Sequence, residues 1–305
     1  MADIFVAGSF MMDNVASMDV FPDEGYTVLG NSIELYPGGK GMNQCVSIAR
    51  LGGNVEMAGM LGKDENARVL RKLLKDENII HDFVFSCDKP TGVAQIQINA
   101  KGQNKICVIP SANYEFGYEH IKQAEISMKK CKLLVLRLEL RLDVTEELIR
   151  VAHSYGVKVL LNPAPAARLN KDILAMIDYI TPNEHELSIL SDIPIDTDDN
   201  LKMAANKLLS LGVKNVIATL GSKGAMIVNS DGFEIINGYK VKAVDTVAAG
   251  DSFNGALALK IVEGKSLKEA VKFANAMGAL TVTKKGAIPS IHRLKDVELF
   301  LSQNE

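Results

Sequence analysis

The run Leu133-Leu134-Val135-Leu136-Arg137-Leu138 is aliphatic at five of six positions and too short for a buried helix. It reads as a strand covered on both faces. Residues 144–154 follow, with apolar side chains at three- and four-residue spacing, and then Val157-Lys158-Val159-Leu160-Leu161, a second short apolar run. Strand, helix and strand of this kind form a parallel βαβ unit. Working outward, residues 4–7, 55–59, 179–181 and 216–220 read as further buried strands. Residues 42–51, 66–75, 184–190, 201–211, 252–263 and 267–283 read as amphipathic helices. The chain is therefore expected to be α/β with a mostly parallel sheet. Two segments break the alternation: 26–36 and 93–109, the second with Gln95-Ile96-Gln97-Ile98 and a turn at Lys101-Gly102-Gln103-Asn104. They are expected to pair into a small sheet covering one end of the main domain, as a lid would, within a single domain over 1–305.

Composition narrows the function classes. Across 305 residues, 34 basic against 37 acidic side chains leave a charge of −3, with 47% hydrophobic residues. No window approaches the ~18 apolar residues of a membrane span, and the start Met1-Ala2-Asp3-Ile4 lacks the features of a signal peptide. The expected partners include neither membrane nor nucleic acid, and the expected compartment is the cytoplasm. Cys45, Cys87, Cys107 and Cys131 form no CxxC and fit reduced thiols. The five His residues form no metal-ligating spacing. Trp is absent and Met is frequent, at 12.

Two motifs carry chemistry. In Val244-Asp245-Thr246-Val247-Ala248-Ala249-Gly250-Asp251-Ser252, small residues lead into an apolar helix. Free N–H groups at a helix start attract anions, and Asp251 in the first turn could accept a proton from a hydroxyl attacking a phosphoryl group. An Asp at that position can also be a simple cap, although a cap does not require three small residues before it. In Pro37-Gly38-Gly39-Lys40-Gly41-Met42-Asn43 the glycines allow a ligand near the backbone, and Asn43 can bond a hydroxyl pair. This is not a Walker loop, because Gly41 follows Lys40 and Glu34 stands where the leading glycine belongs. Asp13 could cap a turn and Glu139 could be a solvated charge. Yet Asp13, Glu139, Asn162, Asn183 and Thr219 all end or follow strands, the edge where α/β sheets gather ligands.

Together these motifs, with Asn162-Pro163-Ala164-Pro165-Ala166, Thr181-Pro182-Asn183-Glu184-His185-Glu186, Thr219-Leu220-Gly221-Ser222-Lys223-Gly224 and residues 282–290, resemble the ribokinase (PfkB) carbohydrate kinase family across the chain. The resemblance implies a three-layer α/β/α sandwich with a small β lid, and transfer of the ATP γ-phosphoryl group to a pentose 5-hydroxyl. It implies Asp251 as base, with Ala248, Ala249 and Gly250 forming the anion hole. Asp13, Gly39, Lys40, Gly41, Asn43 and Glu139 would bind sugar, flanked by Met11, Met12 and Met42. Asn183, Thr219, Leu220, Gly221, Ser222, Lys223, Gly224, Gly250 and Asn275 would line the ATP site, with Glu186 placing Mg²⁺. Asp245, Val247, Thr281, Lys284, Gly286 and Ser290 match positions around an activating K⁺, Lys284 and Gly286 only through carbonyl oxygens.

The family's ribokinases resemble Gly-Ser-x-Asn-x-Asp after the first strand, where this chain has Met11 for the Asn. A thioether cannot replace an amide partner, and an apolar wall suits a carbon that bears no hydroxyl. That favours 2-deoxy-D-ribose over D-ribose, with residual ribose activity. Nucleoside or sugar-phosphate kinases of the family are alternatives, as is a non-catalytic sugar-binding regulator, which would have lost Asp251 or Gly250. Apolar residues such as Val28, Ile33 and Ile96 on the small sheet point to a homodimer formed through it.

Overall fold

The computed structural model describes residues 2–304. Its strands are β1 (Ile4–Ala7), β2 (Met11–Ser17), β3 (Ser32–Gly38), β4 (Val55–Leu61), β5 (Ile80–Ser86), β6 (Val93–Ile98), β7 (Asn104–Ile109), β8 (Leu133–Arg137), β9 (Lys158–Asn162), β10 (Tyr179–Ile180), β11 (Asn215–Thr219), β12 (Gly224–Asn229) and β13 (Gly232–Asn237). The helices are α1 (Lys40–Arg50), α2 (Glu65–Asp76), α3 (Tyr118–Met128), α4 (Leu142–Ser154), α5 (Lys171–Leu174), α6 (Glu184–Ser191), α7 (Asp198–Ser210), α8 (Ala249–Val262), α9 (Leu267–Thr281) and α10 (Leu294–Asn304).

Nine strands form the main sheet in the order β13-β12-β11-β10-β9-β8-β1-β4-β5, parallel except for the β11-β12-β13 edge. Two-residue alternation splits its side chains between two cores. Ile4 and Val6 of β1 pack with Met42, Cys45 and Ile48 of α1, Leu70 of α2, Leu257 of α8 and Val271 of α9. Phe5 and Ala7 pack on the other face with Ile121 of α3, Leu148 of α4 and Leu208 of α7. The result is a three-layer α/β/α sandwich. No helix among the described residues is long and apolar enough to cross a membrane.

The small sheet is β3-β2-β6-β7, with β2 and β6 parallel and both outer pairs antiparallel. The two segments expected to pair with each other do not touch directly, because β2 lies between them. From the sequence, residues 11–17 belong to no assigned element, and Asp13 is expected to follow the first strand. They instead continue as a strand, which moves Asp13 from the main sheet edge onto the small sheet. Met11, Asp13 and Val15 share one face of β2, in register with Ala94, Ile96, Ile106 and Val108 of the neighbouring strands. Ile96 therefore lies on the face with Asp13, opposite Ile33 and Leu35, which align with Ala16 and Asn14.

Candidate active site

One cavity of about 350 Å³ opens between the carboxyl ends of the parallel strands and the small sheet. Its walls bring together residues far apart in sequence: Met11, Asp13, Gly39, Lys40, Asn43, Arg137 and Glu139 with Asn162, Asn183, Glu186, Thr219 and the start of α8.

Close backbone contacts set this geometry. A Cβ on Gly41 would stand 2.7 Å from Gly8 Cα, so α1 can lie against the end of β1 only with glycine at both positions. Gly39 begins α1 at φ +94°, a conformation glycine adopts freely. A Cβ on Gly38 would stand 2.7 Å from Asp13 Oδ2, so that glycine clears room for the carboxylate. α1 crosses α8 at Ser47 and Gly255, where Ser47 Oγ donates to the Ser252 carbonyl at 3.0 Å. This crossing carries Asn43 to Asp251: Asn43 Nδ2 donates to Asp251 Oδ2 at 2.8 Å.

Asp251 is not a helix cap. Ala248 holds the N-cap position at φ 61° without a side-chain cap, and the carboxylate instead accepts from Asn43 and Arg137 Nη1. The backbone N–H groups of Gly250 and Asp251 have no acceptor among the described residues. A Cβ at Gly250 would meet nothing within 4 Å. An uncapped, unobstructed helix start beside a carboxylate is built to receive an anion.

Glu139 is no solvated loop charge: it accepts from Ser9 Oγ and, at 3.0 Å, from the Lys40 N–H. Asn162 Nδ2 donates to the Thr181 carbonyl at 2.7 Å. Burial, followed by the nearby Glu139 charge, raises the Asp13 pKa to about 6, with Asp251 adding to the rise and Lys40 opposing it. Glu186 closes a capping box with Asn183, and burial raises its pKa as well.

Several expected site residues do not line this cavity. Met42 is fully buried in the core with Cys45 and Val46, Met12 lies on the opposite face of β2 from Asp13, and Gly41 is occupied by Gly8. None of the three lines the cavity. Leu220, Gly221, Ser222, Lys223 and Gly224 form the turn from β11 into β12, beside Thr219 but outside the cavity wall. Asn275 also lies outside it, its amide donating to the carbonyls of Ile236 and Asn237. Ala249 does not reach the wall that Ala248 and Gly250 form. Sequence reasoning assigned no site role to Arg137, which is 3% exposed and faces the cavity from the end of β8. A charged residue inside the aliphatic run 133–138 was the available signal, since burying it requires a partner.

Two cation sites can be tested against the donors present. Among the described residues no group of three His, Cys, Asp or Glu side chains could hold a metal ion. Glu186 alone suits Mg²⁺ only where nucleotide phosphates supply the remaining ligands, which is how that ion is commonly held. Asp245 accepts from the N–H groups of Val247 at 3.1 Å and Gly286 at 2.9 Å, stapling the loop before α8 to the loop after α9. The carbonyls of Val247, Lys284 and Gly286 accept no hydrogen bond among the described residues. One carboxylate with several free carbonyl oxygens fits a large monovalent cation. Thr281 and Ser290 are buried, their hydroxyls bonded to the Met277 and Ala287 carbonyls.

The pfkB family carbohydrate kinase description matches residues 1–294. The chain is 36% identical to the ribokinase of Haemophilus influenzae, covering 97% of each chain. It is 37% identical to the deoxyribokinase of Salmonella typhi, covering 99% of this chain and 100% of that one. The solved structure of Arabidopsis thaliana ribokinase complexed with ribose and ATP superposes with a TM-score of 0.93 at 31% identity, over 98% of each chain. The chain belongs to the pfkB family of carbohydrate kinases. It is an ATP-dependent sugar kinase.

Proposed function

We propose that the acceptor is a pentose phosphorylated on its 5-hydroxyl, with 2-deoxy-D-ribose preferred over D-ribose. The observation that carries the preference is Met11. It is 3% exposed and reaches the cavity beside Ala94 and Ile96, so a thioether stands where an amide would serve a further hydroxyl. Relatives of nearly equal identity are named ribokinase and deoxyribokinase, so the choice rests on this wall and not on overall likeness.

Asp13, Asn43 and Glu139 supply acceptors and a donor for the sugar hydroxyls, and the α8 amides receive the phosphoryl charge. The 5-hydroxyl O–H bond breaks towards Asp251 as the new O–P bond forms, and the bond from the γ-phosphorus to ADP breaks with its electron pair leaving on ADP. Glu186 would help hold Mg²⁺, which neutralises phosphate charge when bound. Asp245 with the carbonyls of Val247, Lys284 and Gly286 would hold K⁺ and so fix the loop that leads into α8. The small sheet covers the sugar and keeps water from the γ-phosphoryl group.

kcat/KM for the two pentoses is the deciding measurement, and a clear preference for ribose would make ribose the acceptor. Met11→Asn is expected to swing the ratio towards ribose by about 10- to 100-fold, the worth of one satisfied hydroxyl. An unchanged ratio removes Met11 as the determinant.

The face of the small sheet away from the cavity exposes Ile33 at 70% and Leu35 at 59%. A second copy of the chain is proposed to cover it, giving a homodimer. Sedimentation at micromolar concentration is expected to give the dimer mass; a monomer there overturns the assignment.

A further inference from the structure

Arg137 has no part in the reading above, yet its guanidinium is held on the proposed base. The residue is 3% exposed, and its Nη1 donates to Asp251 Oδ1 while Asn43 holds the other oxygen. Its Nε–H is buried with no partner among the described residues. Arg137 shares the cavity wall with Gly250, beside the uncapped start of α8. We propose that Arg137 is a catalytic residue that contacts the transferring phosphoryl group, serving as counter-charge first to Asp251 and then to the phosphoryl oxygens.

Charges in a buried space must stay balanced by partners. The wall carries the carboxylates of Asp13, Glu139, Glu186 and Asp251 against the cations of Lys40 and Arg137. A phosphoryl group arriving beside Asp251 would meet like charge unless a cation lay between them. When Asp251 accepts the hydroxyl proton it loses its charge, and a buried guanidinium is left without a counter-ion, an expensive state. The phosphoryl oxygens supply the replacement at that moment, so the interaction strengthens as the reaction proceeds. A guanidinium suits the exchange because its planar fork can hold a carboxylate and a phosphate oxygen together, which an ammonium does less well. Lys40 is exposed and has no bond to Asp251. The proposal rests on Asp251 being the base.

Arg137→Gln and Arg137→Lys test it, with steady-state kinetics and with binding of ADP, aluminium fluoride and sugar together as a mimic of the transferring group. Arg137→Gln is expected to lower kcat about 100-fold, with KM for sugar and ATP within about threefold, and to weaken the mimic by a similar factor. Arg137→Lys keeps the charge and is expected to recover about 10-fold of each loss, which also serves if the Gln variant does not fold. A role limited to holding β8 against α8 would lower Tm and leave affinity for the mimic unchanged; that result overturns the proposal, as does near-normal kcat in either variant. Asp251→Asn is assayed alongside. If it is inactive while Arg137→Gln turns over normally, only the Arg137 assignment falls; if it is active, the base on which both rest falls.

Discussion

Asp251→Asn is expected to reduce kcat by about 10³-fold, the scale of a lost general base, with KM for ATP and sugar little altered. The amide keeps the size of the carboxylate but cannot take the hydroxyl proton. Neither group bonded to it substitutes: Asn43 is neutral and donates towards Asp251, and Arg137 is a cation with no acceptor atom. An interaction made mainly in the transition state lowers kcat and kcat/KM together, which separates this loss from a binding defect. The substitution also leaves the Arg137 charge buried without its partner, for which a penalty of about 3–5 kcal/mol is typical. Tm is therefore expected to fall, and turnover must be measured well below the new Tm on protein shown to bind ATP. Near-normal turnover under those conditions would remove Asp251 from its assigned role.

The main sheet was legible because its strands are buried on both faces. Residues 4–7, 133–138 and 216–220 carry almost unbroken apolar runs, and only a parallel sheet between helix layers makes such runs necessary. The small sheet was half legible. Gln95 to Ile98 of β6 alternates and a turn leads from it into β7, but β2 opens Met11-Met12-Asp13-Asn14, two apolar residues and then two polar ones, which matches no two-residue pattern. Its character comes from tertiary context: one face lines the cavity, where Asp13 lies among apolar neighbours, and the other leaves Ile33 and Leu35 in solvent, so polarity does not alternate with burial.

The same cause explains the methionines. Met42 falls within the glycine motif and Met11 and Met12 immediately precede Asp13, yet only Met11 reaches the cavity, because Met12 points the other way along β2 and Met42 belongs to the apolar stripe of α1. Motif position does not report side-chain direction. The glycines mislead similarly. Gly38 makes room for Asp13, Gly39 for the Ser9 carbonyl and Gly41 for Gly8, so all three glycines in that motif serve the protein's own contacts. The Arg137–Asp251 pair joins residues 114 apart, and no local pattern could have announced it.

Asp13→Asn is expected to lower sugar kcat/KM by about 100-fold and to stabilise the unliganded protein at neutral pH. Both effects follow from a carboxylate whose ionisation the fold opposes. Burial and the facing charges of Glu139 and Asp251, only partly offset by Lys40, raise its pKa from the ordinary 3.8 to about 6. The charged carboxylate is the form that accepts the sugar hydroxyls, and a hydrogen bond to a charged group contributes about 1.5–3 kcal/mol, hence the loss in the amide variant. The acid side of the wild-type kcat/KM profile should carry a midpoint near 6, and the variant should lack it. For stability, the folded pKa lies above the unfolded one, so the stabilising contribution is complete below 3.8 and is lost as pH rises through about 6. Above that pH the wild type holds an unfavourable charge that the Asn variant does not. Thermal unfolding across pH 3.5 to 8 should show equal Tm for the two proteins at the acid end and a gap in favour of Asp13→Asn by pH 8, equivalent to about 1–3 kcal/mol. A gap that stays constant across the range would mean that Asp13 is not held at a raised pKa, and the acid limb of activity would then have to come from another carboxylate on the cavity wall.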